Sequence, residues 1–210
     1  MSLYRVARAI VLGPFRAAFR VQVSGLENVP PSGAYIVAPT HRSNLDTPFT
    51  AFVTKRRIRF MAKQEMFKRP LAAKFMYAMG GVPVERGSPN ARAALKAAQI
   101  ALKEGEPVAV FPEGTRRHGR DVTDLFDGTA YLAVKLGVPI LPIGIGGSEE
   151  ILASGKRLPK FHKVAVVVGP VITALPDATT RKRSDLVAIT AELRVELQRL
   201  FDEAMVIAGY

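Results

Sequence analysis

Seven short apolar runs recur along the chain with helix-forming segments between them, and this alternation constrains the fold more than any other feature. The runs are 20–23, 34–38, 58–62, 81–84, 107–111, 140–145 and 163–168, each bounded by Gly, Pro or polar residues. Their length and their β-branched residues predict strands. Most lack the in–out alternation of a strand with one wet face, so they need cover on both sides. Helices are predicted over 46–54, 70–79, 90–104 and 129–136. "SPNARAALKAAQIALKEG" is the clearest, with good helix formers throughout and Gly105 as a stop signal. In the last segment, 184–207, Leu186, Ile189, Leu193, Leu197 and Leu200 fall at three- and four-residue spacing, which predicts an amphipathic helix. The pattern predicts an α/β fold: a mixed, largely parallel central sheet flanked by helices. Pro139 and Pro142 suggest an irregular or edge position for the strand at 140–145. At 210 residues, without internal repeats or a low-complexity linker, the chain has the length of one main domain, 21–210, with a short N-terminal segment, 1–20.

Charge narrows the partners. The formal net charge is +12, which suits an anionic surface or substrate: nucleic acid, a membrane, or a phosphorylated molecule. Between Lys55 and Lys74 eight basic residues face one acid, Glu65. A nucleic-acid-binding module is disfavoured because no binding motif is present and the basic stripe is not interleaved with stacking aromatics. The chain has no cysteine, which excludes thiolate metal sites and cysteine nucleophiles.

Four stretches carry chemistry. In "VAPTHRSNLDTP" the predicted strand 34–38 runs into His41, with Asp46 five residues on. Open α/β sheets place ligand sites at the carboxyl ends of strands. A histidine there acts as a general base when a carboxylate holds its far nitrogen; taken alone, the pair reads more readily as an exposed histidine and a helix-capping aspartate. In "AVFPEGTRRHGR" a strand ends in Phe111-Pro112-Glu113-Gly114-Thr115-Arg116. Arginine takes phosphate oxygens bidentately, and a carboxylate accepts from hydroxyls. "RFMAK" delivers Lys63, and "GGVPVERG" delivers Arg86, each at a strand end, so several basic groups are placed to converge on one anion. "GVPILPIGI" reads as structural.

Taken in order, these stretches resemble the bacterial 1-acylglycerol-3-phosphate acyltransferases and their glycerolipid acyltransferase relatives. The H-x-x-x-x-D block is His41 to Asp46; the Gly-x-x-x-x-Arg block is Gly81 to Arg86. Phe-Pro-Glu-Gly-Thr-Arg stands intact from Phe111 to Arg116, and Val138 to Pro142 matches the fourth block. The resemblance covers roughly 21–171. It implies that His41 is the general base on an acceptor hydroxyl and Asp46 its orienting carboxylate. It further implies that Lys63 and Arg86 hold the acceptor phosphate, and that Glu113, Gly114, Thr115 and Arg116 help to bind the glycerol phosphate. The implied donor is a thioester of coenzyme A (acyl-CoA) or of acyl carrier protein, with no metal and no cofactor. The implied reaction acylates 1-acylglycerol-3-phosphate to phosphatidic acid. Thr40 stands where the family often has asparagine, and Asp127 where it often has a basic residue. The second departure keeps glycerol-3-phosphate, or another lysolipid or glycolipid, open as acceptor. Nothing in the sequence fixes an oligomeric state.

Membrane lipids are the remaining expected partner, at the cytoplasmic face of the cell membrane in a peripheral or monotopic arrangement. No stretch approaches the roughly 20 apolar residues of a spanning helix, and "AIVLGPF" lacks a clean cleavage site. On a helical wheel Arg5, Arg8, Arg16 and Arg20 fall within about one third of the circle, with Leu3, Val6, Ile10 and Val11 mostly away from them. Leu12 and Phe19 fall near the basic side. Gly13-Pro14 is expected to break the segment in two. The expectation is an amphipathic membrane-associating segment over 1–20; the competing expectation is a helix that packs on the core.

Overall fold

Strands without a polar face must be covered on both sides, and the molecule meets that need with three layers. The structure, a computed structural model, describes residues 3–84, 90–151, 160–173 and 183–210. Its strands are β1 (Gln22–Ser24), β2 (Ile36–Pro39), β3 (Arg59–Lys63), β4 (Gly81–Val84), β5 (Val108–Ala109), β6 (Ile140–Gly146) and β7 (Ala165–Val168). They form one sheet in the order β1-β7-β6-β2-β5-β3-β4. Neighbours run parallel except β6 and β7, so β1 and β7 oppose the other five. This is the expected mixed, largely parallel sheet.

Helices α1 (Leu3–Ala18), α2 (Asp46–Thr50), α3 (Pro70–Ala78), α4 (Asn90–Lys103), α5 (Gly128–Leu136), α6 (Ser148–Ile151) and α7 (Arg183–Ala208) surround it. The period-two geometry of a strand divides β2 between two cores. Ile36 and Ala38 face Leu102, Leu132, Leu197 and Phe201 of α4, α5 and α7. Tyr35 and Val37 belong to the opposite core, with Phe19 and Phe49. Helix α7 lies hard against β6: a Cβ at Gly144 would strike the carbonyl of Leu200, and one at Gly146 would strike Ala204. Glycine at both positions lets the helix backbone approach the sheet.

Two expectations are corrected. Strand β6 is an interior strand with every residue buried, not an edge. Pro142 stands opposite Gly169, just beyond the end of β7, and its carbonyl accepts Gly169 N–H at 3.0 Å. Nor does Pro14 split the N-terminal helix, which runs unbroken from Leu3 to Ala18. Side-chain packing holds the far turn in place: Phe15 and Phe19 meet Phe49 edge-on at 5.8 and 5.6 Å. At the near end Tyr4 donates to the Arg56 carbonyl, and Arg8 to those of Ala51 and Thr54.

Candidate active site

The parallel run β6-β2-β5-β3-β4 brings the carboxyl ends of β2, β5, β3 and β4 to one edge of the sheet. Neighbouring strands lie about 4.8 Å apart. His41 follows β2, the Phe111–Arg116 stretch follows β5, and Lys63 ends β3 two places from β2, about 10 Å away on that spacing.

Thr40 lets β2 leave the ladder. Its N–H donates to Ile143 O at 3.0 Å, and its hydroxyl takes the N–H of Ile145 at 3.0 Å. The side chain thereby stands in for a backbone acceptor and frees the main chain to turn. Asp46 begins α2, but its carboxylate reaches back across that turn. Oδ2 accepts His41 Nδ1 at 3.0 Å and the N–H groups of Arg42 and Ser43, both at 2.7 Å. Asp46 is fully buried. An oxygen that already gathers two amide donors selects the tautomer with hydrogen on Nδ1, which leaves the lone pair on Nε2. The imidazole packs on the Phe111 ring at 4.1 Å between centroids, and its side chain is 18% exposed. Nε2 has no partner among the described residues. The His41–Asp46 pair that spacing suggested is thus assembled, with Nε2 left free of protein partners among the described residues.

Glu113 is held inside the protein. One oxygen accepts the N–H of His41 at 2.8 Å, and the other takes the guanidinium of Arg42 at 2.6 Å. Neither side chain of this ion pair is more than 1% exposed. The expectation that Glu113 accepts from an acceptor hydroxyl therefore meets a different geometry, in which both oxygens are engaged within the fold. Arg42 was not singled out by the sequence. Besides Glu113 it donates to the carbonyls of His41, Gly119 and Asp121, all at 3.1 Å, and lies 4.8 Å above the Phe201 ring of α7. One buried cation thus ties together the His41 turn, the loop after β5 and the C-terminal helix. Apart from the adjacent His41 carbonyl, its partners lie 71 to 159 positions away, too far for any local spacing to announce.

The other expected residues sit closer to solvent. Gly114 adopts φ +65°, and a Cβ there would meet the Phe126 ring at 2.7 Å, so glycine is required on both counts. Thr115 and Lys63 are exposed and Arg116 is half-buried. Arg117 N–H donates to His41 O at 2.9 Å and pins the loop to the His41 turn. Arg86 lies outside the described residues, although β4 delivers the chain to this same edge. Ser43 is buried, with its hydroxyl accepting the N–H of Leu45, which does not suit an exposed nucleophile. Asp127 precedes α5 and accepts from Thr190 of α7 at 3.0 Å. His118 pairs with Glu149 at 2.7 Å on the surface, and no group of three or more His, Asp or Glu among the described residues could hold a metal.

Comparison with known proteins adds three findings. Residues 20–146 match the family model described as "Acyltransferase". A 1-acyl-sn-glycerol-3-phosphate acyltransferase of Bacillus subtilis is 29% identical, over 86% of this chain and 87% of its own. A chloroplastic 1-acyl-sn-glycerol-3-phosphate acyltransferase of Arabidopsis thaliana, LPAT1, is 32% identical over 71% of this chain, which spans only 41% of that relative's length. Among solved structures, the 1-acyl-sn-glycerophosphate acyltransferase PlsC of Thermotoga maritima is similar with a TM-score of 0.74 and 27% identity, covering 97% of this chain and 82% of that one.

Proposed function

The chain belongs to the Acyltransferase family, and from that premise we propose that it transfers a fatty acyl group from a thioester to the free hydroxyl of 1-acylglycerol-3-phosphate, giving phosphatidic acid. The observation that carries this reading is the His41–Asp46 pair, with Nε2 open at the strand edge where Lys63 and the loop after β5 also emerge. The names of the relatives support the acceptor.

Nε2 of His41 removes the proton of the acceptor hydroxyl as its oxygen bonds to the thioester carbon. Asp46 holds the ring by Nδ1 and stabilises the imidazolium that forms. The tetrahedral oxyanion collapses, the C–S bond breaks, and the proton on Nε2 passes to the departing thiolate. The thioester is already activated, so the step needs no acyl-enzyme and no cofactor. Lys63, Arg86 and Arg116 hold the acceptor phosphate, with Thr115 and the Gly114 turn beside them. Glu113 acts from within, through Arg42 and the His41 backbone. The donor is acyl-CoA or an acyl carrier protein thioester.

The protein works as a peripheral or monotopic protein at the cytoplasmic face of the cell membrane, with residues 1–20 contributing to attachment. No helix among the described residues is long and apolar enough to cross a bilayer. The deciding experiment offers purified protein palmitoyl and oleoyl thioesters with a panel of phosphorylated and non-phosphorylated acceptors. Preferred acylation of 1-acylglycerol-3-phosphate is expected. Preference for glycerol-3-phosphate would reassign the acceptor, and transfer to no acceptor would remove the reading.

A further inference from the structure

Helix α1 has three faces rather than two. Ala7, Leu12 and Phe19 are buried against the body of the protein, and Arg8 is turned inward onto backbone carbonyls. Arg5, Arg16 and Arg20 form an exposed basic stripe. Val6 and Ile10, one turn apart, are 39% and 67% exposed. Most of the apolar area of α1 is therefore already spent on the core, and what it leaves outward is a narrow strip.

The neighbouring helix α3 supplies the larger apolar surface. Leu71 is 85% exposed and Phe75 44%, again one turn apart, with Met66 at 49% in the turn before the helix. Six of the sixteen large apolar side chains exposed among the described residues fall on α1 and on 64–78, and α1 and α3 touch. Single exposed apolar residues are ordinary, whereas a cluster marks an interaction surface. The exposed charge around it is mainly positive, with Glu65 the one acid of the 55–74 stretch. The structure divides the basic stretch 55–74: Arg57 and Arg59 pair with Glu106, and Arg56 caps the carbonyls of Gly33 and Gly105. Lys68, Arg69 and Lys74 remain exposed on and beside α3, without an ion-pair partner among the described residues. Exposed apolar tips ringed by cations complement an anionic bilayer, whose headgroups take the cations while the tips enter the acyl boundary. An acidic protein surface would meet the cations but leave Leu71 unburied unless it also offered an apolar cleft.

We propose that α3, together with the outer strip of α1, forms a composite docking surface for an anionic lipid bilayer, with Leu71 and Phe75 as the inserted side chains. It deepens the membrane part of the function above and rests on it. Helix α3 follows β3 through the turn at 64–67, so Met66 and Leu71 begin the surface at the end of the sheet where His41 is exposed, while Tyr4 and Arg8 tie the start of α1 to residues 51–56, ahead of β3. A docked bilayer would present acceptor headgroups to that edge.

The test is sedimentation of the full chain with vesicles of phosphatidylglycerol and phosphatidylcholine in equal parts, and with phosphatidylcholine alone. Wild type is expected to bind the anionic vesicles, to bind the neutral ones weakly, and to be released by salt. Leu71→Ala with Phe75→Ala is expected to lower anionic partitioning at least about tenfold, since each side chain stops being buried. Lys68→Ala with Lys74→Ala should lower it by about an order of magnitude or more. Circular dichroism and turnover of a short, water-soluble acceptor report that the fold and the catalytic site survive, because none of the four side chains touches that site. An α3 variant that sediments like wild type overturns the composite surface while leaving the membrane reading intact, and places attachment on residues 1–20. Wild type that binds no anionic vesicle overturns both. A wild-type dimer that the Leu71/Phe75 variant converts to monomer would assign the surface to a second copy of the chain and overturn the lipid assignment.

Discussion

A single basic side chain and a cluster of three are treated in opposite ways. Arg42 is buried among a carboxylate, three carbonyls and an aromatic ring. Lys68, Arg69 and Lys74 stand in water. A buried charge is tolerated only when every donor is matched, so Arg42 is costly to remove and useful as a fastener. An exposed cation adds little to stability and remains available for a partner. The contrast teaches where to test function in this molecule: the proposed chemistry at the buried charges, the proposed attachment at the exposed ones.

The largest effect expected is on chemistry. His41→Ala should lower turnover by about 10²–10⁴-fold with the fold intact, since that is what a general base contributes. Asp46→Asn should also be severely impaired, because the amide cannot gather the three donors that now meet Oδ2. Steady-state kinetics beside a circular dichroism spectrum decides both, and near-wild-type turnover in His41→Ala would remove it from the mechanism.

Next comes the fastener. Removing one partner of a buried ion pair costs about 3–5 kcal/mol, so Arg42→Ala and Glu113→Ala should each shift urea unfolding by that amount. Replacing both at once, with Arg42→Met and Glu113→Leu, should restore much of the stability without restoring turnover, because the His41 amide then lacks its acceptor. A doubly substituted enzyme as active as wild type would show that the pair serves stability alone.

Phosphate binding should be smaller again and selective. Hydrogen bonds to charged groups are worth about 1.5–3 kcal/mol. Lys63→Ala and Arg86→Ala are therefore expected to raise KM chiefly for a phosphorylated acceptor and to change a monoacylglycerol acceptor little. Equal losses on both acceptors would make these residues structural. The smallest effect is the stability of the exposed cluster: Lys68→Ala and Lys74→Ala should each move unfolding by less than about 0.5 kcal/mol, in contrast to Arg42. A larger shift would mean that these cations, too, are used by the fold.

Much of this was legible in the sequence, and what was legible was local. Apolar runs between helix-forming segments set the strands to within a few residues, because period and turn chemistry are short-range properties. The five-residue spacing of His41 and Asp46 was enough to bring them together once a strand ended between Pro39 and Thr40. The tertiary structure alone decided the rest. Pro142 suggested an edge, but strand order is set by which faces each run can bury, and α7 closing on Gly144 and Gly146 keeps β6 inside. Pro14 suggested a break, but the aromatic contacts of Phe15 and Phe19 hold the helix through it. Glu113 stands in a motif that suggests a substrate ligand, but the fold sets Arg42, 71 residues earlier, against it. Spacing records which residues share a helix turn or a strand face; it carries no record of charges that meet only when separate strands are laid side by side.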